Sequence, residues 1–198
     1  MKKFLPWIVL GILVLGLYSW GKAINNTAVE LEADAKTAWS NVESAYQRRN
    51  DLYSSVIKTI QGSADFERKT LNEVIEARSK ATSINFDTNN LTAENLEVFQ
   101  KAQANLSGSF SRLIANFERY PELNTTIQFR EFIAQKEGTE NRINVARDRF
   151  NEAVNKYDIH TTKFPNKILT GMFGFKEMDR FKSDPGSEKV PDEEYNFN

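Results

Sequence analysis

The chain has 198 residues, 26 basic against 27 acidic side chains for a net charge of -1, and no cysteine. Its length suits one domain with small appendages, and its balanced charge gives no overall pull toward nucleic acid. Without cysteine there are no disulfides, thiolate metal sites or cysteine nucleophiles. The one histidine, His160, has Tyr157 three residues before it. The Glu-x-x-His pairs of di-iron bundles are therefore missing, and the sequence implies no cofactor.

The stretch from Phe4 to Gly21, "FLPWIVLGILVLGLYSWG", carries no charge. As a helix it is about 27 Å long, close to the roughly 30 Å hydrocarbon core of a bilayer. Trp7 near one end and Tyr18 and Trp20 at the other match the aromatic belts of a membrane span. Residues 1–23 therefore read as a single-pass anchor. Lys2 and Lys3 precede the span, Lys22 follows it closely, and Glu30, Glu32 and Asp34 come next. The positive-inside rule then expects a cytoplasmic N-terminus and a domain outside, as for a bacterial inner-membrane protein. The alternative is a cleaved secretory signal ending near Ser19-Trp20-Gly21, although signal h-regions are shorter, about 7–15 residues.

Beyond the anchor, helical periodicity predicts helices over about 24–60, 66–84, 92–120 and 125–164. In the first, steps of three and four give the seam Leu31, Ala35, Ala38, Val42, Ala45, Arg49, Leu52, Val56 and Thr59. Trp39, Tyr46, Tyr53 and Ile60 recur every seven residues and widen that apolar face. The second helix puts Leu71, Val74, Arg78 and Ala81 on its seam, and "NFDTNN" forms the loop after it. The third runs Leu96, Phe99, Gln103, Leu106, Phe110, Leu113, Phe117 and Tyr120, stopping before Pro121. Thr125 to Gln128 fits a capping box opening the fourth, which Pro165 ends. Its apolar row includes Phe132, Ile143, Ala146, Phe150, Val154, Tyr157 and Phe164. No strand-like alternation appears. The expected fold is all-α, an antiparallel four-helix bundle over 24–165 with shallow, coiled-coil-like crossings. Gly108 and Gly138, inside helices, read as places of close helix packing.

Two segments follow. Residues 166–182, "NKILTGMFGFKEMDRFK", read as amphipathic. Residues 183–198 carry five acids and two prolines without periodicity, the composition of a disordered acidic tail. Helix lengths at 1.5 Å per residue bring Phe164 back to within roughly 10–15 Å of the level where the first helix leaves the anchor. Ile168, Leu169, Met172, Phe173 and Phe175, flanked by Lys167 and Lys176, are then expected either to touch the membrane surface or to cap the open end of the bundle.

The polar residues on or beside the seams are Arg49, Arg78, Arg112, Glu118, Glu140 and Arg147. Arginine forks bound to carboxylates would form an ion-paired layer that fixes helix register, with Arg49 paired to Glu140 or a neighbouring acid. Alternatively they line a pocket for an anionic ligand. No nucleophile, oxyanion hole or phosphate loop marks an active site.

Several blocks together resemble the LemA family. They are "AWSNVESAYQRRNDLYSSVIKTIQG" in the first helix, "NEVIEAR" in the second, "SFSRL" then "ERYPEL" in the third, and "TENRINVARDRFNEAVNKY" followed by "FP" in the fourth. With the anchor before them, they span nearly the whole chain up to "GMFGF". The resemblance implies a membrane-anchored four-helix bundle without an established enzymatic activity. Family-typical positions fall on Trp39, Arg48, Arg49, Asp51, Arg78, Arg112, Glu140, Arg147, Asn151 and Pro165, among others.

Two functions from different classes are expected. One is a non-enzymatic scaffold or adaptor for other envelope proteins, with a second copy of the chain as a further candidate partner. The other is a sensor that binds an anion among Arg49, Arg78 and Arg147. Nucleic acid is not an expected partner, because basic and acidic residues are interleaved throughout.

Overall fold

A computed structural model of the chain describes residues 4–61, 68–84, 86, 91–117 and 127–182. The fold is all-α. Its helices are α1 (Leu5–Gln61), α2 (Arg68–Ser83), α3 (Ala93–Phe117), α4 (Ile127–Thr162) and α5 (Asn166–Met172), with no strand among the described residues. The capping box before α4 and the acidic tail lie outside the described residues.

The anchor and the first long helix are one element. α1 runs for 57 residues without interruption, about 85 Å at helical rise. Nothing between Trp20 and Glu30 stops it: the stretch has no proline, and Gly21 costs a helix only about 1 kcal/mol. Gly21 instead marks a change of surroundings. Phe4 to Trp20 are all exposed, whereas burial begins at Ile24 and Ala28 and recurs along one face.

Two hydrophobic clusters hold the helices together. The cluster far from the anchor joins Tyr53, Val56, Ile57 and Ile60 of α1 to Leu71, Val74, Ala77 and Ala81 of α2, Leu106, Phe110 and Leu113 of α3, and Phe132 of α4. The nearer one joins Ala35, Trp39, Val42, Ala45 and Tyr46 to Leu91, Leu96, Phe99, Ile143, Ala146, Phe150, Val154 and Phe181. No buried residue of α2 belongs to it. α2 has 16 residues against 36 in α4, so it covers only the far half of the bundle.

The chain after α5 fills the vacant side. Gly174, at φ 84°, turns it in the left-handed region that glycine adopts without steric cost. Residues 175–182 then run back along α4 as an extended strap. The Tyr157 hydroxyl donates to the Lys176 carbonyl at 2.8 Å, and the Met178 amide donates to Asp158 Oδ1 at 3.2 Å. Asn151 clasps Phe181 from both sides, accepting from its amide at 2.9 Å and donating to its carbonyl at 3.1 Å. Asp179 accepts from the Ala93 amide at the start of α3, at 2.8 Å. Phe181 lands among Trp39 and Phe150 at ring separations of 5.8 and 5.5 Å. The segment 166–182 is thus a seven-residue helix followed by a strap, and part of it completes the core.

Trp39, Tyr46, Tyr53 and Ile60 are buried in the bundle, as their place on the widened apolar face expects. Other expectations need correction. Thr59 is exposed, because a strict three-four row drifts around a 3.6-residue helix. Ala77, not Arg78, faces the core of α2. Phe164 is 78% exposed. Gly108 and Gly138 are exposed, and a Cβ at either would meet nothing within 4 Å.

Candidate functional site

Where the two clusters meet on α1, the seam places Arg49. Its side chain is buried, 4% exposed. Nη2 donates to the side-chain oxygen of Gln103 on α3 and, at 3.4 Å, to its main-chain carbonyl. Gln103 in turn donates through Nε2 to the Ala81 carbonyl at the end of α2, at 3.4 Å. That pattern fixes which way its amide points. On the other side Arg49 Nη1 lies 3.5 Å from Glu140 Oε1 of α4. Tyr53 donates its hydroxyl to the same oxygen at 3.3 Å. The guanidinium carbon is 4.8 Å from the centre of the Tyr46 ring and 5.8 Å from that of Tyr53. A single cation thus links four helices and rests against two aromatic faces. Arg49 Nε, also buried, has no hydrogen-bond partner among the described residues.

The layer is dry at α1 and wet at α4. Tyr53 is fully buried and stacks on Phe110, with ring centroids 3.7 Å apart. Burial pushes its hydroxyl up to about 12, against the opposing pull of Arg49 and with help from the Glu140 charge. Glu140 itself keeps 35% of its side chain exposed, so solvent screens its attraction for Arg49.

The remaining residues of the expected cluster lie elsewhere. Arg78 is half-buried at the edge of α2, facing a groove with Asp51, Ser54, Lys58 and Gln61 of α1. Arg112 points outward, 61% exposed, 3.8 Å from Glu73 and 3.1 Å from the Ser109 hydroxyl. Arg147 donates to the Lys182 carbonyl at 3.2 Å, and its guanidinium lies 4.8 Å from the centre of the Phe181 ring. It serves the strap. Glu118 lies outside the described residues. Of the expected residues, the structure brings together Arg49 and Glu140. Gln103 is the partner that charge-based reading passes over. Its signal is a polar side chain in the otherwise apolar seam of α3.

A second arginine group lies on the surface. Arg48 on α1 and Arg142 and Arg149 on α4 line a groove of about 380 Å³ with Asn41, Ser44 and Asn141. All three arginines are exposed. None of them forms an ion pair among the described residues.

The residues expected at the membrane divide in two. Ile168, Met172 and Phe173 are exposed. Leu169 is half-buried and Phe175 packs near the Tyr157 ring.

The chain is similar to known proteins over most of its length. Magnetosome protein MamQ 2 of Paramagnetospirillum magneticum is 23% identical over 182 residues, covering 82% of this chain. The chain spans 66% of that relative's length, just under two thirds. Magnetosome protein MamQ of Magnetospirillum gryphiswaldense is 23% identical over 203 residues, 91% of this chain and 74% of its own. Protein LemA of Metamycoplasma hominis is 24% identical over 173 residues, 86% and 71%. The LemA family model matches residues 38–195, a stretch that holds the Arg49 layer, both arginine-bearing faces of α1 and α4, and the strap. With most of its length matched in this way, the chain belongs to the LemA family.

Proposed function

We propose that this protein is a membrane-anchored, non-enzymatic scaffold for envelope proteins, held in a bacterial inner membrane by α1, with its N-terminus in the cytoplasm and its bundle outside. The observation that carries the reading is the unbroken α1. By length and composition its N-terminal part is apolar enough to cross a membrane. The same helix then continues for about 60 Å beyond Gly21. A helix without a hinge passes the orientation fixed in the bilayer to the far end of the bundle. Leu169 Cδ1 packs 3.8 Å from where a Cβ on Gly21 would stand, so α5 rests against the end of the span. The orientation rests on the lysines at 2 and 3.

The docking face in this reading is the groove between α1 and α4. Arg48, Arg142 and Arg149 suit an acidic segment of a partner, because an arginine fork recognises carboxylates in bidentate geometry. Val145, 40% exposed beside them, is the place for a photo-crosslinking residue. Captured in native membranes and identified by mass spectrometry, the same few envelope proteins should recur and be lost on Arg142→Glu. Self-crosslinks alone would count against the scaffold.

A second reading, a sensor for an anionic ligand, is favoured by the same three arginines. Saturable citrate or phosphate binding to the purified protein, lost in Arg149→Glu without any captured partner, would select it.

A further inference from the structure

We propose that α5 and its flanking residues form a second membrane contact, a foot that rests on the anionic lipid surface beside the anchor. The inference relies on the reading of α1 as a retained membrane span and adds to it. It starts from position. His160 Nε2 donates to the Ile24 carbonyl at 3.0 Å, which ties the end of α4 to the first buried turn of α1. Asn166 donates to the His160 carbonyl at 3.0 Å, and the Thr170 hydroxyl, buried, donates to the Thr161 carbonyl at 2.7 Å. Leu169 Cδ1 lies 3.8 Å from where a Cβ on Gly21 would stand. α5 is therefore locked at the level of Gly21. From Leu5 to Gly21 α1 covers about 26 Å, so that level is the edge of the hydrocarbon core.

Exposure is the second observation. With Leu169 and Thr170 turned inward, α5 leaves Ile168 57%, Met172 77% and Phe173 53% exposed, and Phe164 just before it 78%. Trp20, the residue before Gly21 at the end of the anchor, is itself 41% exposed. Large apolar side chains left exposed at the level where a membrane span ends mark a lipid contact.

Charge is the third. Lys22, Lys163, Lys167 and Lys176 are exposed at this end of the molecule. Amphipathic segments with lysines beside the apolar face bind headgroups of anionic lipids. Two contacts, anchor and foot, fix the tilt of the bundle where a single helix leaves it free to swing.

Because the chain has no cysteine, single cysteines report cleanly. An environment-sensitive fluorophore is placed at Ile168 or Met172 of the full-length protein, at Leu13 as a lipid control and at Val98 as a water control. The protein is reconstituted in phosphatidylethanolamine–phosphatidylglycerol vesicles containing nitroxide-labelled lipid. Labels at 168 and 172 should be blue-shifted and quenched, as at Leu13, while Val98 stays bright. Quenching at Leu13 with 168 and 172 as bright as Val98 overturns the foot and leaves the anchor standing. A bright label at Leu13 overturns the anchor, and the foot with it. A blue shift at 172 without lipid quenching means that protein covers the patch, which also overturns the proposal. In vesicles without phosphatidylglycerol, quenching at 172 should weaken, and undiminished quenching would overturn the part assigned to the lysines.

Discussion

Arg49 of α1 reaches both oxygens of Gln103 on α3, and Gln103 passes the contact on to the last turn of α2. This pair is the centre of the polar layer. Gln103→Leu removes the acceptors' side-chain half and strands a buried cation. The expected loss is at least about 1–3 kcal/mol, because unsatisfied charged donors cost more than neutral ones. Arg49→Leu combined with Gln103→Leu should cost clearly less than the two single losses added together, since with both partners apolar neither the cation nor its amide acceptor is stranded, while the Ala81 carbonyl loses its donor equally in the single and the double variant. Chemical denaturation of the full-length protein in detergent measures the cycle. Simple additivity would contradict the pairing.

Glu140 is expected to matter less than its charge suggests. It is the solvent-facing end of the layer and sits 3.5 Å from Arg49. Glu140→Gln should therefore change stability by about 1 kcal/mol or less. A loss as large as that of Gln103→Leu would show that the carboxylate, not the amide, holds Arg49.

Tyr53 and Tyr157 make the fold sensitive to alkali. Burial is the main cause that pushes each hydroxyl from 10.0 to about 12. A pKa raised in the folded state contributes stability that is complete below the unfolded value and lost as pH rises through the folded one. Stability should thus fall between pH 10 and about 12. Tyr53→Phe keeps the stack on Phe110 and should flatten that fall, as followed by tyrosinate absorbance and helicity across the same range. An unchanged alkaline profile in both Tyr53→Phe and Tyr157→Phe would contradict the assignment.

Phe181 should be as important as a residue in a helix. It is buried against Trp39 and Phe150 on the side that α2 does not cover. Phe181→Ala is expected to cost about 3–5 kcal/mol, the range for a truncated core phenylalanine. Asn151→Ala frees the strap's amide and carbonyl and should cost less, about 1–3 kcal/mol. Thermal unfolding of the two variants orders them. For the same reason, deleting 167–181 removes core as well as surface, so only point changes separate the membrane contact from the fold.

The helical glycines offer the opposite sign. Gly108 and Gly138 have open space where a Cβ would go. Alanine at either position should stabilise by about 0.4–1 kcal/mol, largely by restricting the unfolded chain. Destabilisation would reveal a contact at those positions.

The long seams were legible because apolar spacing decides burial: Arg49 is read as a buried residue from its row alone, and it is one. Its neighbours were harder. Arg78 and Ala77 differ by one position, or about 100° around α2, and which of them faces inward depends on how α2 leans on α3. Gln103 carries no charge, so an expectation built on ion pairs overlooked it. The strap was not legible at all, since "FKEMDRF" has no helical or strand period. Phe181 becomes a core residue only because α2 is short, and the pattern within residues 175–182 holds no trace of that. α1 runs on through Gly21 because what changes there is the environment and not the backbone.

The measurement that tests the central claim most directly is labelling of a single cysteine at Val98, on the exposed side of α3, with a small membrane-impermeant maleimide in cells whose cytoplasmic membrane is sealed. A membrane-anchored scaffold with its bundle outside predicts labelling in intact cells equal to that after lysis, with the protein remaining in the membrane fraction. Labelling that appears only after lysis would place the bundle in the cytoplasm and contradict the account.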